Sequence, residues 1–97
     1  MALDVTYDDE ADVLYVSIDA PRPAFTENLG EGLLLRRDPV SDESVGVTIM
    51  RFLHHFAELG SVSPLRQRGV PDEVLMLLEK LQKHPDDVRR MVEAEAY

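Results

Sequence analysis

The sequence predicts an α+β fold: a four-stranded antiparallel β-meander over 1–52, followed by two or three α-helices over 53–97. Three observations carry this. The stretch V-T-Y-D-D-E-A-D-V-L-Y-V-S-I, Val5 to Ile18, alternates apolar and polar residues with period two around a tight acidic loop. From Phe52 onward the apolar spacing becomes helical. A clean apolar stripe, Val74, Leu77, Leu78 and Leu81, follows nearer the C-terminus.

The first strand runs through Leu3, Val5 and Tyr7. The loop Asp8 to Asp12 joins it to a second strand with Leu14, Val16 and Ile18 on one face and Val13, Tyr15 and Ser17 on the other. Asp8 and Asp12 suit hydrogen bonds from turn amides, and Asp9 and Glu10 point to water. The stretch D-A-P-R-P-A-F-T-E-N-L-G-E-G reads as a connection, punctuated by Pro and Gly. Any extended part of it belongs at a sheet edge. Phe25 is the expected apolar anchor.

Leu33 to Arg37 is the third strand, D-P-V-S-D-E-S a polar turn, and Val45 to Phe52 the fourth strand. Gly46 marks a bulge or a close approach. Phe52, Leu53, Phe56 and Leu59 fit a helix that Gly60 stops. S-V-S-P-L-R-Q-R-G reads as a loop with at most a short strand. Val70 to Lys83 is the clearest helix, with Pro71, Asp72 and Glu73 in its first turn and a Glu79–Lys83 pair. Pro85 opens a last helix with Val88, Met91 and Val92 inward and an Asp86–Arg90 pair.

The blocks Y-D-D-E-A-D-V-L-Y-V, E-G-L-L-L and V-G-V-T-I-M resemble the small bacterial and archaeal family catalogued as domain of unknown function 2283. The matching positions are Tyr7, Asp8, Ala11, Asp12, Leu14 and Tyr15, then Val45, Gly46, Val47, Ile49 and Met50, within roughly residues 3–52. Arg36 and Arg37 stand where that family turns acidic, and the turn before Val45 lacks the family's Asp-Gly. The resemblance implies a fold and brings no activity with it.

Composition bounds the function. Ninety-seven residues make one domain, which buries about two-thirds of the surface its unfolded chain exposes. The absence of cysteine excludes disulfides, thiolate metal sites and thiol nucleophiles. No apolar run approaches the ~18 residues of a membrane span. M-A-L-D-V-T lacks the features of a signal peptide, so a cytoplasmic location is expected. A net charge of -9 disfavours nucleic acid and anionic lipid and serves solubility.

Candidate chemistry is sparse. Asp8, Glu10 and Asp12 form a carboxylate loop that a divalent cation would favour, the basis of an alternative reading as a small metal-dependent hydrolase. As an EF-hand the loop fails, with Val13 at position six and Asp19 at position twelve. A solvated hairpin loop explains it better. His54 and His55, being adjacent, are poor joint ligands, and His84 precedes Pro85 at a helix boundary. Arg36, Arg37 and Arg51 could converge on an anion or an acidic partner, with Arg66 and Arg68 adding to it. The plainer reading has them balance Asp38, Asp42 and Glu43.

Tyr7 and Tyr15 on paired strands suggest a stacking platform, but core packing suits the charge better. The serines lack a partnered base, and Gly30 to Gly32 lacks the third glycine of a dinucleotide loop. No catalytic residue and no cofactor is assigned. The expected function is a non-enzymatic binding or assembly module that forms a homodimer, one form of which neutralises a basic partner protein. The dimer follows from strands that are apolar on both faces and from helices that cover only one of them.

Overall fold

The computed structural model of the chain describes residues 1–92. It has two layers, a five-stranded antiparallel sheet and a helical layer on one of its faces. The strands are β1, Leu3–Asp8; β2, Val13–Ile18; β3, Phe25–Gly30; β4, Leu33–Arg37; and β5, Ser44–Met50. Their order across the sheet is β1-β2-β5-β4-β3. The expected four-stranded meander is thus corrected in two ways. A fifth strand lies within the supposed connection, and β2 pairs with β5 rather than with its successor.

The strand that the sequence hides is the edge strand β3. Its inward positions are Glu27 and Leu29, both half-buried, and the rest is exposed. No apolar alternation marks such a strand. Phe25 is no core anchor: it is 41% exposed, with the Arg37 guanidinium 5.3 Å from its ring centroid. Stacking on a cation at the sheet edge replaces burial.

The registers define two faces. Tyr7 pairs with Leu14, Leu14 with Ile49, and Leu33 with Ile49. These residues belong to one buried cluster with Val16, Leu35 and Val47 and with the helical residues. Gly46 sits opposite Arg36, where the β4–β5 register shifts. A Cβ there would lie 2.7 Å from the Val16 carbonyl oxygen, so only glycine permits this seam.

After β5 the chain reverses through Arg51, which is left-handed with φ 54. Phe52 therefore leaves the strand and is fully buried, not on the reverse face of a longer strand as its alternation suggests. A π-helical turn, Phe52–Phe56, runs into a helical turn, α1, Ala57–Leu59. Gly60 ends it. A Cβ at that position would come within 2.2 Å of the Phe56 ring. Leu59 is 74% exposed rather than inward.

Ser63–Gln67 forms a short helix, α2, where a loop was expected. Pro64 suits its first turn, and Leu65 fills the core. The helix α3, Asp72–Lys83, buries Val74, Leu75, Leu78 and Leu81. The closing Pro85–Met91 segment is a 3-10 helix that buries Val88. Three residues per turn favour partners three apart, so Asp86 pairs with Arg89 and Asp87 with Arg90, not Asp86 with Arg90. Glu79 likewise reaches Arg66 at 3.9 Å rather than Lys83. The helical region expected over 53–97 extends past the described residues at 93–97.

Candidate functional site

The acidic loop is split by the fold. Asp8 accepts the amides of Glu10 and Ala11 at 3.0 and 3.1 Å, the local turn its position calls for. Asp9 and Glu10 are exposed. Asp12 does something else. It takes φ 58, turns inward and is 8% exposed. Its main-chain oxygen accepts the Phe52 amide at 3.0 Å. One carboxylate oxygen accepts the Tyr7 hydroxyl at 2.5 Å and the Leu53 amide at 2.8 Å. The other accepts the His54 amide at 3.1 Å and lies 2.7 Å from His54 Nδ1.

Asp12 is therefore the cap of the Phe52 turn, supplied from the turn of the first hairpin; Arg51, in the cap position, offers no side-chain bond. Burial works against ionisation of this carboxyl. The hydrogen bonds from Tyr7, Leu53 and His54 outweigh it and hold Asp12 below the usual carboxylate range. The same contact, after burial, pushes the Tyr7 hydroxyl well above its ordinary value. All four interactions are met within the protein, so Asp8, Glu10 and Asp12 do not present a joint set of ligand oxygens. Among the described residues no group of three or more acidic or histidine side chains is placed to hold a cation.

The arginines do not converge. Antiparallel pairing sets Arg36 against Gly46, whereas Arg51 lies past the far end of β5. Five residues of strand separate those ends, roughly 16 Å. Arg37 is bound to Asp42 at 3.3 Å and to Glu27 at 3.1 Å, and Arg68 reaches Glu27 at 2.9 Å. The Arg37–Glu27 pair is close but poorly aligned. Glu27 Oε1 and Arg37 Nε are buried without hydrogen-bond partners among the described residues. Asp38 accepts the amides of Val40 and Ser41, which hold its carboxyl below the usual range, and it lies 3.6 Å from Arg22. Among the described residues Arg36 and Arg51 have no ion-pair partner.

His54 and His55 part ways as adjacent helical residues must. His54 goes to Asp12, and His55 Nε2 lies 3.3 Å from Glu31. Tyr7 is core, as expected. Tyr15 is not: it pairs with Thr6 and Thr48 on the opposite face and is 42% exposed.

That opposite face is the candidate surface. Its central row is Thr6, Tyr15, Thr48, Leu34 and Asn28, read across the registers. Val13 and Met50 form the next row, in which Val13 is buried and Met50 is 45% exposed. None of these residues belongs to the core cluster on the helical side. Sequence alternation had placed Val13, Tyr15 and Met50 here. Leu34 had no signal, because Leu33 to Leu35 is uniformly apolar.

No helix among the described residues is long and apolar enough to cross a membrane. No family model, curated protein or solved structure matches the chain.

Proposed function

We propose that this chain is a binding and assembly module that works as a pair of copies joined through the bare face of its sheet. The observation that carries the reading is the one-sided helical layer. Among the described residues the apolar helical side chains join the cluster that holds Leu14, Val47 and Leu35, and Tyr15, Met50 and Leu34 stand outside it on the opposite face. Five strands about 4.8 Å apart, with six residues rising about 3.3 Å each, give a face of roughly 400 to 500 Å² in projection. Pairing two such faces buries about 800 to 1,000 Å² in total, the size of a weak, concentration-dependent interface. A twisted antiparallel sheet stacks readily on a second one.

Sedimentation equilibrium at tens of micromolar tests it. The expected mass is twice the 11.0 kDa of one chain. Tyr15→Lys should return the chain to one copy with its far-ultraviolet circular dichroism unchanged, and its melting temperature should no longer depend on concentration. A wild-type mass of 11.0 kDa, unchanged with concentration, overturns the reading.

A further inference from the structure

Resting on that assembly reading, we infer that the partner on the bare face is a second copy related by a two-fold axis running along β5, so that the Asp4 edge of one sheet lies over the Arg36 side of the other. The charge layout of the face selects this axis. β1 brings outward Asp4 and Asp8 to one side of the sheet, and β4 brings outward Arg36 to the other. Asp4, Ser17, Gly46, Arg36 and Thr26 form one row across the strands.

A two-fold axis parallel to the strands keeps each row on itself and exchanges its ends. Asp4 then meets Thr26 of the second copy with Arg36 beside it, and Tyr15 lies over Leu34. Thr48 and Met50, on the central strand, face their own copies. The competing axis runs across the strands. It keeps each strand over itself and exchanges the rows, which places Asp4 over Asp8 and stacks one acidic edge on another. Like charges across an interface penalise that arrangement. Among the described residues neither Asp4 nor Arg36 has an ion-pair partner within the chain, so both are free to serve the interface.

The test uses the full chain, which has no cysteine of its own. Thr6 and Asn28 end the central row on opposite edges, so Thr6→Cys and Asn28→Cys chains are mixed with a bis-maleimide spanning about 10 Å, the sheet-to-sheet distance. The expected product joins one Thr6→Cys chain to one Asn28→Cys chain, with no product from Thr6→Cys alone. Charge reversal gives a second reading. Asp4→Arg or Arg36→Asp alone should weaken pairing about tenfold, and the two together should restore it. Self-coupling of Thr6→Cys, or single reversals without effect in a chain that still pairs, overturns the axis and leaves the assembly reading standing. A wild-type chain that stays single overturns the assembly reading itself.

Discussion

Asp12 and Leu53 are 41 positions apart in the chain and 2.8 Å apart in space, carboxylate oxygen to amide nitrogen. The bond ties the turn of the first hairpin to the start of the helical layer. The adjacent Phe52 and His54 amides are taken by the same residue.

Replacing Asp12 should therefore cost more than an ordinary surface change. Asp12→Ala removes a cap and strands the Tyr7 hydroxyl in the core, an expected loss of about 2 to 4 kcal/mol. Asp12→Asn keeps an acceptor and tolerates the left-handed backbone, and should lose about 1 kcal/mol. Urea unfolding followed by far-ultraviolet circular dichroism measures both. Equal losses from the two would refute the capping role.

The same site sets a pH dependence. The folded Asp12 carboxyl lies below its unfolded value, so its contribution is present above about pH 4 and is lost as pH falls through the folded value. Tyr7 behaves in the opposite sense. Its folded value is raised, so its contribution is complete below about pH 10 and declines as the solution becomes more alkaline. Urea midpoints across pH should fall less steeply in acid for Asp12→Asn, and less steeply in alkali for Tyr7→Phe. A wild-type acid limb retained in Asp12→Asn would show that another carboxylate governs it.

Leu78 is fully buried in the middle of α3. Leu78→Ala should destabilise the domain by about 2 to 4 kcal/mol. A loss below half a kcal/mol, by the same unfolding measurement, would remove α3 from the core.

Gly46 admits no side chain, since its Cβ would press on the Val16 carbonyl. Gly46→Ala should loosen the β2–β5 seam and cost about 1 to 3 kcal/mol. Hydrogen exchange reads the location: amides of β2 and β5 should lose protection before those of α3.

What the sequence disclosed and what it withheld divide along physical lines. Periodicity reports β1, β2, β5 and α3, because burial on one face imprints its period on each, while β4 shows only as the apolar run Leu33 to Leu35. It is silent on β3, whose inward Glu27 lies against the charges of Arg37 and Arg68 rather than against apolar neighbours. Strand order is also invisible to it. Nothing local in Val13–Ile18 says that the far neighbour is Ser44–Met50. Asp12 was recognised as an acceptor of amide hydrogen bonds, but its donors come from another part of the chain. The dispersal of Arg36, Arg37 and Arg51 needed the register, not the composition.

The sheet order has a kinetic consequence. β3, β4 and β5 close on one another through short turns, and so do β1 and β2, whereas the β2–β5 seam joins residues 29 to 37 positions apart. Two locally closing pieces should thus form first, and their docking should be the slow event. In a chevron analysis, truncations inside the β4–β5 pair should slow folding. Loss of the Asp12–Leu53 clasp, made only once the pieces meet, should instead hasten unfolding.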